Sequence, residues 1–181
     1  MTFGFRVAVA AMFTASLWAG SWSAPAEATD AAGNALVTCR AKLNGEHLVV
    51  EVRATPGWHV YAMDNQRRAK EALAGRMSLG VEQDTEVLVS GGLKVVGDWY
   101  QTKPEDFSQP ELRWYSYGFE GTSTLAAKVE RTAGDSASVT VRAQACDSAS
   151  CVAVEADLSV PLAGGAEEPF STDGLVPVRS S

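Results

Sequence analysis

Hydrophobic and polar residues alternate along most of the chain, which is the pattern of β-strands with one buried face. The clearest alternation covers residues 37–43 and 48–54, which are separated by the dipeptide Asn44-Gly45. Asn-Gly between two alternating segments is a strong signal for a tight β-hairpin. The pattern therefore predicts an early hairpin with one face against a core.

The same period predicts further strands, which are separated by turn residues. They cover residues 85–90, 93–99, 114–119, 123–130, 136–146 and 151–162. Residues 64–75 have a helical composition, with Asp64 as a candidate N-cap and Gly75 as a candidate end. Many short strands with regularly spaced turns predict an all-β fold, an antiparallel β-sandwich.

Two segments do not follow the strand pattern. Residues 101–113 contain Pro104 and Pro110, and a connection of this length is more often a functional loop than a tight turn. Residues 163–181 are rich in Gly, Glu, Pro and Ser, and such a composition favours a flexible C-terminal tail.

The N-terminus has the three parts of a secretory signal peptide. Arg6 precedes an apolar run over residues 7–18, and small residues then lead to Ala26-Glu27-Ala28, which fits the A-x-A cleavage pattern. A membrane anchor is the weaker interpretation, because the run is much shorter than the ~20 residues that span a bilayer. We therefore expect residues 1–28 to be removed on export and residues 29–162 to form one domain.

Composition narrows the classes of function. The net charge is −7, which argues against nucleic acid as a partner, because phosphates require a basic surface. His47 and His59 are the only histidines, and no ligand spacing indicates a metal site. A domain of about 150 residues buries its own core and does not need a disulfide in order to fold.

The candidate chemistry lies on Cys146 and Cys151, which end and begin the last two predicted strands. Both fall on the polar faces of their strands, and four small or polar residues join them. If the strands pair as a hairpin, the two Cα atoms lie about 4.5–5.5 Å apart, which is inside the range for a disulfide. The oxidising environment of an exported protein favours that bond.

The pattern supports a structural and a redox-active disulfide about equally. Closing a loop of about six residues adds only ~2 kcal/mol in the chain-entropy model, which a domain of this size hardly requires. An exposed disulfide is also open to attack by an outside thiolate. Cys39 differs, because it lies on the apolar face of its strand. We expect a buried, inert thiol there, and a third redox or intermolecular cysteine is the alternative.

Two motifs resemble those of a known family. Gly57-Trp58-His59-Val60-Tyr61 comes early, and the late hairpin has the form Gln144-Ala145-Cys146 followed by Cys151. With their spacing, they are similar over residues 36–162 to the N-terminal periplasmic domain of DsbD-type thiol:disulfide interchange proteins, the disulfide bond corrector family. The resemblance implies an immunoglobulin-like fold. It also implies a domain that accepts electrons from a thioredoxin-like domain and reduces periplasmic disulfide isomerases and related partners.

The resemblance gives the two cysteines unequal roles. Cys146 matches the more exposed cysteine that attacks, and Cys151 matches the resolving partner. The family also shields its pair with a cap loop of aromatic residues, which corresponds here to residues 114–119. The candidate cap or site-lining residues are Tyr115, Tyr117, Phe119, His59 and Tyr61.

The sequence departs from the family pattern at two points. Val152-Ala153 follows the second cysteine, where the family often has prolines. The complete family proteins continue into a membrane domain and a thioredoxin domain, so here the electron donor is expected on a separate membrane chain. The leading hypothesis is a periplasmic thiol:disulfide interchange domain that needs no cofactor and acts on thioredoxin-like or isomerase proteins. The alternative is a non-enzymatic immunoglobulin-like binding module with a structural disulfide.

Overall fold

The computed structural model describes residues 21–80, 83–163 and 170–179. Within these ranges the chain forms twelve β-strands, one α-helix and a short 3₁₀ helix over Pro110–Leu112. The strands are β1 (Ala26–Thr29), β2 (Ala35–Asn44), β3 (His47–Ala54), β4 (His59–Tyr61), β5 (Glu86–Gly91), β6 (Leu93–Thr102), β7 (Glu105–Asp106), β8 (Tyr117–Glu120), β9 (Thr122–Arg131), β10 (Ser136–Cys146), β11 (Cys151–Pro161) and β12 (Leu175–Pro177). The helix α1 spans Asn65–Leu73.

The strands form two antiparallel sheets. The first has the order β1-β2-β3-β9-β6-β12, and the second has the order β11-β10-β4-β8-β7. Strand β5 also pairs with β10, along residues that β4 does not reach. The inward faces of both sheets supply one apolar core, which includes Val50, Leu125, Val139, Val141 and Val160. The predicted all-β, immunoglobulin-like antiparallel sandwich is confirmed.

The local predictions that rest on strong patterns are also confirmed. The early hairpin is β2–β3, with Asn44 opposite His47 and Gly45 in the left-handed region at φ 62°. The predicted helix is α1, which ends where Ala74 and Gly75 both turn left-handed. The strand predicted over 114–119 begins only at β8, because a 3₁₀ turn occupies the preceding loop.

The C-terminal segment differs from the prediction of a flexible tail over 163–181. Strand β12 pairs with the end of β6, and the Val178 N–H donates to the Trp99 carbonyl at 2.8 Å. Residues 164–169 and 180–181 of the predicted tail lie outside the described residues. Two apolar residues are too few to show a period, so the sequence alone does not predict a strand that depends on pairing with the edge of β6.

Asp64 connects the start of α1 to the first sheet and to this C-terminal segment. Its buried carboxylate accepts hydrogen bonds from Arg68 Nε (2.8 Å), Gln101 Nε2 (2.6 Å) and the Arg179 backbone N–H (3.1 Å). Burial by itself raises the pKa of Asp64, but these hydrogen bonds outweigh it and hold the pKa below its usual value. The carboxylate is therefore charged and paired inside the protein at neutral pH.

The predicted signal peptide is described only in part. Residues 1–20 lie outside the described residues, whereas Ala26-Glu27-Ala28 lies in β1 and pairs with β2. Within the described ranges, no helix is long and apolar enough to cross a bilayer.

Candidate functional site

The cysteine pair lies at the mouth of the β10–β11 hairpin. Cys146 and Cys151 are directly opposed, their Cα atoms are 4.1 Å apart, and they form a disulfide. Asp147 holds the turn between them, because its carboxylate accepts the backbone N–H groups of Ala149 (2.7 Å) and Ser150 (2.6 Å). These hydrogen bonds lower the pKa of Asp147, so a negative charge remains beside the pair at neutral pH.

The two sulfur-bearing residues are unequally accessible. Cys146 is 1% exposed, whereas Cys151 is exposed. Cys146 lies between two strands, because β10 pairs with β11 on one side and with His59 of β4 on the other. Cys151 begins β11, which is the edge strand of its sheet in the described part of the chain. The expectation that Cys146 is the more exposed cysteine is therefore wrong.

Tyr61 brings a hydroxyl group to both sulfurs. Its oxygen lies 3.4 Å from Cys146 Sγ and 4.0 Å from Cys151 Sγ. Neither sulfur of a disulfide carries a hydrogen, so the tyrosine hydroxyl is the donor. The side chain is fully buried, and the Thr85 hydroxyl donates to the Tyr61 carbonyl, which fixes this part of β4.

His59 lies opposite Cys146 across the β4–β10 pairing and stacks on the ring of Phe107. The ring centroids are 4.3 Å apart, and the planes differ by only 7°. Burial lowers the pKa of His59 and outweighs the opposing effect of Glu120 and Asp147. The imidazole is therefore neutral at neutral pH and presents a flat, uncharged face to the aromatic ring.

Phe107 belongs to the long loop between β6 and β8. Its backbone N–H donates to the Ser116 carbonyl at 2.9 Å, and the two residues before it form β7, which pairs with β8. Sequence analysis marks residues 101–113 as a functional loop but does not select Phe107. The available signal is one aromatic residue inside a proline-containing loop, and its stacking partner lies in a distant segment.

Of the three aromatic residues predicted to form a cap, Phe119 and Tyr115 make their contacts elsewhere. Phe119 packs in the core between the two sheets. The Tyr115 hydroxyl accepts a hydrogen bond from Arg76 Nη2 at 3.3 Å, just beyond the end of α1. Tyr117 is half-buried at the start of β8. The structure thus brings His59 and Tyr61 to the pair, while Phe119 faces the opposite side of its sheet.

Comparison with known proteins identifies the family. The family model for the N-terminal domain of thiol:disulfide interchange protein DsbD, which describes the family's sequences, matches residues 27–163. The chain belongs to this family. Among solved structures, the N-terminal domain of DsbD from Neisseria meningitidis in the reduced form is similar, with 10% identity and a TM-score of 0.43. That match covers 87% of this chain and 90% of the other. No curated protein matches the sequence.

Membership of the DsbD N-terminal family makes thiol:disulfide interchange the chemistry of this site. The disulfide between Cys146 and Cys151 is the bond that such chemistry forms and breaks. The domains of this family are periplasmic.

The charged side chains of the β10–β11 hairpin are acidic or already paired. Arg142 precedes Cys146 on β10, but its Nε lies 3.0 Å from Glu155 on β11. That cation is therefore matched by a carboxylate, and Asp147 adds a further negative charge at the turn. Tyr61 is an uncharged donor, and its hydroxyl reaches Cys146 Sγ at 3.4 Å.

Cys39 is separate from this site. It lies on β2 in the other sheet and is fully buried, which confirms the prediction of a buried thiol. Burial raises its pKa to about 12, so the thiol stays protonated and unreactive at neutral pH.

Proposed function

We propose that the protein passes reducing equivalents to the disulfides of periplasmic thioredoxin-like or isomerase proteins, with Cys151 as the attacking thiol. The observation that carries this assignment is the unequal burial of Cys146 and Cys151. A thiolate must reach the partner sulfur along the line of its S–S bond, so exposure favours Cys151 for this step. Cys146, which lies beneath it, is suited to resolve the mixed disulfide.

The exchange consists of two displacements. In the reduced protein, the Cys151 thiolate attacks one sulfur of the partner disulfide, and the partner's other sulfur leaves as a thiolate. The Cys146 thiolate then attacks Cys151 Sγ, which re-forms the intramolecular disulfide and releases the partner's second sulfur as a thiolate. Two electrons move to the partner, and its two thiolates take up protons from water.

Tyr61 assists as a hydrogen-bond donor to the thiolates. Its hydroxyl lies closer to Cys146 Sγ than to Cys151 Sγ, so it chiefly favours ionisation of the resolving cysteine. Stacking of Phe107 on His59 covers the neighbouring strand and limits access from that side. A dithiol donor then reduces the disulfide again by the reverse exchange.

Trapping of the mixed disulfide tests the roles of the two cysteines. Reduced Cys146→Ala is mixed with a periplasmic disulfide isomerase whose active-site cysteines are oxidised. We expect a persistent one-to-one covalent complex on a non-reducing gel, and peptide mass analysis should place the bond on Cys151. The matched variant Cys151→Ala should give little complex. Equal trapping by both variants, or trapping through Cys146 alone, would refute the assignment.

The reduction potential separates this function from a binding module with a structural disulfide. Structural disulfides typically have potentials below about −300 mV, and exchange-active ones lie above that value. We expect a value above it for the Cys146–Cys151 pair after equilibration with dithiol buffers and quantitative alkylation. A lower potential, with partner binding intact in the Cys146→Ser, Cys151→Ser double variant, would favour the binding module.

A further inference from the structure

The segment that begins at Trp22 is built into the first sheet. The Ser23 backbone N–H donates to the Ala41 carbonyl at 2.7 Å, and the Ala41 N–H donates to Ser23 Oγ at 3.0 Å. Ser23 is 6% exposed, which is unusual for a serine at the start of an exported domain. These reciprocal hydrogen bonds join the segment to β2 before β1 begins.

Strand β1 continues this attachment along the edge of β2. Ala26 is opposite Cys39 and Ala28 is opposite Val37, and both alanines pack against the core. Strand β1 also lies beside β11 of the other sheet, so it covers the open side of the sandwich. Its loss would leave backbone groups of β2 unpaired at an exposed edge.

Trp22 adds a contact of its own. The guanidinium carbon of Arg40 lies 4.3 Å from the ring centroid of Trp22, and Lys42 Nζ lies 4.8 Å from it. Both cations belong to β2, so the ring lies over the outer face of the strand that β1 pairs with.

Cleavage after Ala28 would remove all of these contacts and leave only Thr29 of β1. Three earlier triplets also have small residues at their first and third positions: Ala19-Gly20-Ser21, Ser21-Trp22-Ser23 and Ala24-Pro25-Ala26. The first of them directly follows the apolar run, as a cleavage site does, and cleavage after it alone keeps both Trp22 and Ser23 on the domain. The position directly after the apolar run and the contacts of Trp22 and Ser23 thus both favour cleavage after Ser21.

We propose that a signal peptidase hydrolyses the Ser21–Trp22 bond and that the mature protein begins at Trp22. Water adds across the bond, which leaves a carboxylate on Ser21 and an amino group on Trp22. The proposal rests on the predicted signal peptide and is independent of the redox function. It assigns residues 22–28 to the mature domain instead of the signal peptide.

The N-terminus of the exported protein tests this proposal. The full chain is produced in a Gram-negative host, recovered from the periplasm, and analysed by intact mass and N-terminal sequencing. We expect one species that begins at Trp22. A mature chain that begins at Thr29, or at any other residue after Trp22, overturns the proposal, as does a periplasmic chain that retains Met1.

Two matched proline variants locate the scissile bond. Proline after the cleaved carbonyl removes the N–H and restricts the preceding residue, so it hinders hydrolysis at that bond. Trp22→Pro should accumulate uncleaved precursor, whereas Thr29→Pro should be processed at Trp22 as the unmodified chain is. Precursor that accumulates with Thr29→Pro and not with Trp22→Pro contradicts the proposal.

Discussion

Replacing Tyr61 with phenylalanine removes the hydroxyl that contacts both sulfurs and keeps the buried ring. A hydrogen bond to a charged group contributes about 1.5–3 kcal/mol, and sulfur is a weak acceptor, so the lower limit of ~1.5 kcal/mol applies. This energy corresponds to an about tenfold smaller thiolate fraction at neutral pH. A thiolate that loses its hydrogen bond is also more nucleophilic, by about threefold for a Brønsted slope of ~0.5.

The two effects oppose each other and depend differently on pH. The hydroxyl lies closer to Cys146, so both effects concern the resolving step, in which the Cys146 thiolate attacks Cys151 Sγ. At neutral pH, the smaller thiolate fraction dominates, and this step should be about threefold slower in Tyr61→Phe than in the unmodified protein. At a pH where every thiol is ionised, only nucleophilicity remains, and the variant should react about threefold faster. The two pH–rate profiles should therefore cross.

The assay follows release of the second nitrobenzoate thiolate by stopped-flow absorbance. Cys151 attacks the nitrobenzoate disulfide and releases the first thiolate, and the second leaves when Cys146 attacks Cys151 Sγ. The pH range is centred on about 8.5, the ordinary value for a thiol. Tyr115→Phe is the matched control, because it removes a hydroxyl that accepts from Arg76 and does not contact the sulfurs. A rate ratio for Tyr61→Phe that is constant at every pH would indicate a general structural defect and refute the role of the hydroxyl.

Three further predictions concern access to the disulfide, the buried Asp64 carboxylate and the buried Cys39 thiol. Phe107→Ala should speed reduction of the disulfide by dithiothreitol about fivefold, which corresponds to ~1 kcal/mol of lost stacking. The control Phe170→Ala removes a ring near His47 and should leave that rate unchanged. Asp64→Asn should lower the free energy of unfolding by about 3 kcal/mol at pH 7 in urea titrations. Because the folded pKa of Asp64 lies below 3.8, its contribution is present above that pH and is lost as the pH falls further, so the difference between the variant and the unmodified protein should shrink in acid. Cys39 should resist alkylation at pH 8 until denaturant is added, and a modified Cys39 in the folded protein would contradict its burial.

Most of the fold can be predicted from the sequence because a strand with one buried face has a period of two. The β2–β3 and β10–β11 hairpins follow from that period and from their turn residues. Strands β1 and β12 are too short to show a period, and each depends on pairing with the edge of a longer strand. Their existence is decided by tertiary contacts that no local pattern records.

The same distinction between local patterns and tertiary contacts decides which residues of the candidate site can be predicted. The Gly-Trp-His-x-Tyr motif places His59 and Tyr61 near the pair, since His59 is opposite Cys146 and the Tyr61 hydroxyl reaches its sulfur. Phe107 is not predictable in this way, because its ring meets His59 only after β7 pairs with β8. Phe119 is predicted as a cap residue but packs in the core, because an aromatic run gives no indication of which ring faces the core.

The roles of the two cysteines depend on strand neighbours, which alternation does not report. Alternation assigns Cys146 and Cys151 to one face, and on that basis the two thiols are equivalent. The sheet order makes them different, because β10 has paired strands on both sides of Cys146, whereas β11 is an edge strand. Burial by β4 and Tyr61 withdraws Cys146 from partners, and the edge position leaves Cys151 in reach of them. An attacking thiol on an edge strand can therefore meet a partner without any opening of the sheet.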